Sequence, residues 1–231
     1  MMIEINNLLK TYGGVRALEI EGLSVGQGEI VGVAGNNGAG KTTLLRSLLD
    51  LIRVDRGRIR IDGEDVQSST AWKRATGSYL DPSFVIGYLR PSEYFDVVSR
   101  LYEFDDLEAR LAPYEAFFRG DIARERKFIR DLSAGNVDKV GITAAFLPRP
   151  QIILLDEPFA HLDPAGRAWL KAHMRNVHRD HGTTFLISSH DLADVLDVCG
   201  RLILLRDGLV VEDVRTEGLT LAELERRFLS G

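Results

Sequence analysis

The run Gly35-Asn36-Asn37-Gly38-Ala39-Gly40-Lys41-Thr42 has the residue types and the spacing needed to enclose a polyphosphate. Its glycines let successive backbone N–H groups turn inward around an anion, and a helix opening at Thr42 would aim the positive end of its dipole at the same point. Lys41 can reach the β- and γ-phosphates of a nucleoside triphosphate, the Thr42 hydroxyl can ligate Mg²⁺, and Thr43 completes the nucleotide-contacting run. A site of this kind also needs a carboxylate for the metal and a group that positions the attacking water. Asp156 and Glu157, directly after the apolar run Ile152-Ile153-Leu154-Leu155, supply both. Asp156 would reach the ion and Glu157 would polarise the water. The apolar run places them at the carboxyl edge of a central strand, where open α/β sheets bind ligands. The chemistry expected is hydrolysis of a nucleoside triphosphate with Mg²⁺.

The elements that must hold these residues follow from hydrophobic periodicity. Residues Ile3 to Leu9, Ala17 to Val25 and Arg58 to Ile61 alternate as half-buried antiparallel strands do. Glu29 to Ala34 is a denser apolar run leading into the glycines. From Thr42 the period lengthens, with Leu44, Leu48, Leu51 and Ile52 at helical spacing. Residues 84 to 140 have another character. Pro91 suits a first helical position, Tyr94, Val98, Leu101 and Tyr102 share a face, and Leu107 to Phe118 and Ile122 to Leu132 read as helices, the former interrupted by Pro113. Alternation then resumes: a strand at Ile152 to Leu155, a helix from Asp163-Pro164 to about Asp180, a strand at Thr184 to Ser188, a helix at Asp191 to Cys199 and a strand at Arg201 to Leu205. Thr220 and Glu223 have the spacing of a capping box, with Leu219 and Leu224 as its hydrophobic staple. The expected fold is α/β: a mostly parallel sheet covered on both faces, with an N-terminal antiparallel β subdomain and a helical insertion. Residues 1–231 read as one domain, in which 1–83 and 141–231 form the nucleotide-binding core and 84–140 the helical subdomain.

Composition narrows the partners. With 45% hydrophobic and 27% charged residues the 231-residue chain is of the soluble globular kind and long enough for its own core. A formal net charge of −5 leaves no broad basic field, so nucleic acid is not an expected partner. One cysteine excludes a disulfide framework and a cysteine-rich metal site. No apolar stretch reaches the roughly 18 to 20 residues of a membrane span, and the first residues do not read as a secretion signal, which points to a cytosolic or cytosol-facing place.

Nearly end to end, the order of these motifs resembles the ATP-binding cassette (ABC) ATPases. Tyr12, ahead of Gly13-Gly14-Val15, stands where that family has an aromatic that stacks on adenine. Asp156-Glu157-Pro158 is similar to its pair of metal carboxylate and base. His161-Leu162-Asp163-Pro164 resembles the loop whose aspartate communicates between paired sites, and Ser188-Ser189-His190-Asp191 the switch segment whose histidine contacts the γ-phosphate. Leu132-Ser133-Ala134-Gly135-Asn136 occupies the place of the signature LSGGQ, so Ser133 and Gly135 are expected to offer a hydroxyl and a backbone N–H to a partner subunit's ATP. Two departures stand out. The signature has Ala134 and Asn136 for the usual Gly and Gln, and no glutamine lies in Gly77–Phe84, where family members carry one beside Mg²⁺. Asp81 is the nearest polar substitute there. The resemblance implies an ATPase subunit, with Lys41, Glu157 and His190 catalytic, that pairs head-to-tail with a second copy of itself. It implies a separate membrane permease that holds the chain on the inner face of the cell membrane. Signatures of the S-x-G-N kind look most like exporter subunits. The alternatives are a soluble ABC ATPase acting on nucleic acid, ribosomes or cluster assembly, and a degenerate cassette that only binds nucleotide.

Overall fold

A computed structural model describes residues 1–120 and 125–230. Strands β1 (Ile3–Tyr12) and β2 (Val15–Val25) pair antiparallel through a two-residue turn at Gly13-Gly14, where both φ angles are positive, the geometry that hairpin twist demands and that glycine supplies without strain. Next come β3 (Ile30–Ala34), helix α1 (Lys41–Leu48), β4 (Arg56–Ile61), the short β5 (Glu64–Asp65) and β6 (Thr76–Tyr79). Helices α2 (Pro91–Leu101), α3 (Leu107–Leu111), α4 (Glu115–Phe118) and α5 (Ala134–Phe146) follow. The chain returns to the sheet with β7 (Ile152–Leu155), α6 (Pro164–His181), β8 (Thr184–Ser189), α7 (Leu192–Val198), β9 (Arg201–Arg206), β10 (Leu209–Arg215) and α8 (Leu221–Ser230).

Among the described residues all ten strands join one sheet, in the order β5-β4-β1-β2-β10-β9-β3-β8-β7-β6. From β9 to β6 neighbouring strands run parallel; β1, β2, β4 and β5 form an antiparallel wing. Wing and parallel core meet at β10, which pairs with β2 through a single register position, Leu209 opposite Glu19. The Glu19 amide donates to the Gly208 carbonyl (2.7 Å), and the Gly208 amide donates to the carbonyl of Ala39 (3.0 Å).

Central strands read as unbroken apolar runs because both faces are covered. Ile153 and Leu155 face a core built with α5, α6 and α7, whereas Ile152 and Leu154 face the other, with Leu44, Leu45 and Leu48 of α1 and the inner side of the wing. The helical segment is fastened to α6 by stacked rings: Phe117 lies 4.5 Å from Trp169 and Trp169 lies 4.6 Å from His173, centroid to centroid, while the Tyr114 hydroxyl is 3.0 Å from His173 Nε2.

Pro113 interrupts Leu107 to Phe118 as expected, in a 3₁₀ turn, Ala112–Tyr114, between α3 and α4. Other expectations change in detail. Of the helix expected at Ile122 to Leu132, residues 122–124 lie outside the described residues, and 125–132 hold only the 3₁₀ turn Ile129–Asp131. Strands β6 and β10 were not anticipated. At Gly77 a Cβ would come within 2.0 Å of the Ala145 carbonyl oxygen, so the approach of β6 to α5 requires glycine. The capping box at Thr220 forms as expected: Glu223 N–H donates to Thr220 Oγ1 (3.3 Å) and Thr220 N–H to Glu223 Oε2 (2.8 Å).

Candidate active site

The glycine loop joins the carboxyl end of β3 to α1 and is wedged between two neighbours. A Cβ on Gly35 would lie 2.5 Å from the Leu205 carbonyl oxygen, and one on Gly40, at φ 107°, 2.9 Å from that of Ala17. Ala39 and Gly40 are buried, while Asn36, Asn37 and Gly38 stand exposed at the rim. With Gly40 as N-cap, no side chain caps the N-terminus of α1, so its first amides are available to an anion. Lys41 is buried and folds back into the loop: its Nζ donates to the Gly35 carbonyl (2.7 Å) and lies 3.2 Å from Glu157 Oε1.

Asp156 follows β7 directly and is buried. Thr42 Oγ1 donates to its Oδ2 at 2.6 Å, and the Ser188 hydroxyl, near the end of β8, donates to Oδ1. Burial pushes the Asp156 carboxyl above its ordinary value, opposed by the Ser188 and Thr42 hydrogen bonds and aided by the nearby charge of Glu157. A hydroxyl and a carboxylate are hard oxygen donors, and Mg²⁺ is usually held by one or two carboxylates together with substrate phosphates. The pair Thr42 and Asp156 therefore fits that ion. Among the described residues no group of three or more His, Cys, Asp or Glu could hold a metal without such a substrate.

Glu157 adopts φ 47°, a left-handed conformation uncommon outside glycine, and its amide donates to Ser188 Oγ (2.9 Å). That turn swings the carboxylate toward the loop. Its Oε2 accepts from the His190 amide (3.2 Å) and lies 2.8 Å from His190 Nδ1. Lys41, Thr42, Asp156, Glu157 and His190 thus converge, with Ser188 as a member that sequence reasoning placed only within a motif.

The other expected residues lie elsewhere. Tyr12 is 51% exposed at the hairpin tip, with Lys10 Nζ 4.8 Å from its ring centre. Asp81 caps a 3₁₀ turn by accepting from the Ser83 amide (2.8 Å) and faces Arg46 of α1 (3.6 Å), so both its oxygens have protein partners. Ser133 caps α5, accepting weakly from the Asn136 amide (3.4 Å), and Gly135 packs against the His161 carbonyl. Asp163 caps α6 through the Gly166 amide (3.2 Å). Partial burial works against it, but that amide and the cations Lys139 and Arg119 hold its carboxyl below the ordinary value. Ser133, Gly135 and Asp163 line a second, open cavity of about 620 Å³.

Comparison with known proteins shows which chains this one resembles. The family model described as ABC transporter matches residues 19–160. The lipopolysaccharide export system ATP-binding protein LptB of Haemophilus influenzae is 33% identical, the match covering 100% of this chain and 97% of that protein. The sulfate/thiosulfate import ATP-binding protein CysA of Rhodopseudomonas palustris is 30% identical, over 100% of this chain and 68% of its own length. A solved structure of an ATP-binding subunit of an ABC transporter superposes with a TM-score of 0.88, at 27% identity over 99% of both chains.

Proposed function

The chain belongs to the ABC transporter family as an ATP-binding, ATP-hydrolysing subunit, and from that premise we propose how its residues divide the work. The observation that carries the reading is the convergence of Lys41, Thr42, Asp156, Glu157 and His190 at the mouth of one glycine loop. Loop amides from Gly35 to Thr43 and the Lys41 amine bind the β- and γ-phosphates, Lys41 exchanging the Gly35 carbonyl for phosphate oxygens. Thr42 and Asp156 hold Mg²⁺, which when bound neutralises phosphate charge. Glu157 takes the proton of the attacking water, and His190 keeps that carboxylate oriented and reaches the γ-phosphate. Tyr12 stacks on the adenine.

Ser133, Gly135 and Asp163 belong to the second half of a composite site. They lie apart from this chain's own loop, so they serve a nucleotide carried by another copy. Two chains arranged head-to-tail then enclose two ATP molecules with two-fold symmetry. In this reading residues 84–140 present Ser133 to the partner, and residues 1–83 with 141–231 hold the phosphates.

Among the described residues no helix is long and apolar enough to cross a membrane. A separate permease would hold the chain at the inner face of the membrane, and nucleic acid plays no part. A groove of about 300 Å³ between the end of β6 and α2, lined by Leu51, Trp72, Phe84 and Tyr94 together with Lys73 and Ser78, suits a permease segment with both apolar and polar side chains. Asp81 directly follows Leu80 of this groove and faces Arg46 of α1, and in this reading it takes over the coupling role of the missing glutamine. The two named relatives include one exporter and one importer. Export is the direction we propose, on the signature Ser133-Ala134-Gly135-Asn136 alone.

Glu157→Gln tests the reading. Losing a well-placed general base slows chemistry by about 10² to 10⁴-fold. Phosphate release should fall by that factor while ATP affinity is retained, and gel filtration with Mg-ATP should show a stable dimer. Hydrolysis at the parental rate would remove Glu157 from its role.

A further inference from the structure

The first turns of α5 carry a buried charge that the mechanism above does not use. Asp138 is 3% exposed, and each of its oxygens is engaged by a different part of the fold. Oδ1 accepts from the Tyr79 hydroxyl at 2.5 Å, and Oδ2 lies 2.8 Å from Nδ1 of His161. Tyr79 ends β6, and its carbonyl accepts the amide of Asp156 (2.9 Å). His161 lies in the loop between Glu157 and Asp163. A buried carboxylate is costly unless its oxygens are bonded, and an apolar residue would satisfy this side of α5 more simply. The charge therefore serves geometry.

A second contact grips the same residue. Gly135 stands one turn before Asp138 and on the same helix face. A Cβ there would come within 2.6 Å of the His161 carbonyl oxygen, so backbone meets backbone. The His161 carbonyl packs against Gly135, and its ring pairs with Asp138. The ring itself is 56% exposed and lines the cavity that contains Ser133 and Asp163. Farther along the same loop, Asp163 is held by Lys139 (3.7 Å) and Arg119.

We propose that Asp138 is a positioning residue: through His161 it locks the loop 157–163 against the first turn of α5, so that Ser133, Gly135 and Asp163 meet the partner's nucleotide as one rigid unit. The proposal rests on the head-to-tail reading above. Its signature is action in trans. Removing Asp138 from one chain damages the site whose phosphate loop belongs to the other chain.

Dimers trapped by Glu157→Gln in both chains, and captured through a different tag on each, can be photolabelled with azido-ATP. Each label marks the chain whose phosphate loop holds the nucleotide. With Asp138→Leu in one chain, labelling of the unsubstituted chain should fall at least fivefold while the substituted chain stays labelled. His161→Ala, which removes a largely exposed ring, should give the same pattern if Asp138→Leu does not fold. Ser133→Glu in one chain tests the head-to-tail reading by itself. If it fails to remove label from the opposite chain, that reading falls and the Asp138 proposal with it. If Ser133→Glu acts in trans but Asp138→Leu and His161→Ala do not, only the Asp138 proposal is overturned. Loss of label from the substituted chain, equal loss from both, or failure to capture a mixed dimer would also overturn it, because the intact site of each pair should still hold the chains together.

Discussion

Lys41 Nζ lies 3.2 Å from Glu157 Oε1. The amine is also bonded to the Gly35 carbonyl, so in the proposed mode phosphate binding would exchange existing contacts instead of ordering a free side chain. Tyr12 has no such protein cage, and its assigned role is limited to stacking. Base–aromatic stacking is worth about 1–3 kcal/mol. Tyr12→Ala should therefore weaken ATP binding by about 5- to 150-fold in a fluorescent-nucleotide titration and leave phosphate release at saturating ATP unchanged. Unaltered affinity would remove Tyr12 from the site. At this scale the sequence was most readable where one backbone geometry permits few residue types. Gly35, Gly40 and Lys41 are dictated by the loop itself. Asp138 and His161 were not recognised as a pair, because they meet only after α5 and the loop after β7 have packed, and no local pattern records such a contact.

Helix α6 shows how an element outside the loop supports it. Its N-cap is Asp163, and about two and three turns further in it carries Trp169, which stacks on Phe117 of α4, and His173, which stacks on Trp169. Burial pushes the His173 imidazole down to about 4. An unfolded chain would protonate it near 6.5, so the folded state binds fewer protons between those values. The stabilising effect of the neutral ring is complete above pH 6.5 and is lost as pH falls toward 4, by at most about 3 kcal/mol. Urea unfolding at pH 7 and pH 4.5 should show a smaller loss of midpoint for His173→Phe than for the parent; equal losses would refute the burial of a neutral ring. Elements were legible in proportion to how far their own residues decide them. The run Ile152–Leu155 was legible because a strand buried on both faces is uniformly apolar and the acidic pair that follows ends it. Strand β6 has just Thr76-Gly77-Ser78-Tyr79 and is placed by the close approach of α5. Strand β10 had a usable signal that was passed over: Asp207-Gly208, both at positive φ, is a hairpin pair between two apolar runs.

Taken whole, the molecule offers a single thiol as a gauge of its integrity. Cys199 is buried where α7 meets β9, and burial pushes its thiol up to about 12. A thiol reagent at pH 8 should modify the folded protein at less than about 1% of its rate on the urea-unfolded chain, since the thiolate is the reactive form. Rapid modification under native conditions would show that this core opens readily. The sheet has a weaker place than that core, at the one register position where β10 meets β2. In the proposed binding mode, with the base on Tyr12 and the phosphates in the glycine loop, a nucleotide would lie across this join like mortar between two courses of brick. Affinity then becomes a gauge of workmanship at the seam. Gly208, whose Cβ would strike the Ala17 carbonyl oxygen at 2.7 Å, is the position where a flaw touching neither base nor phosphate would loosen the wing and the ligand together.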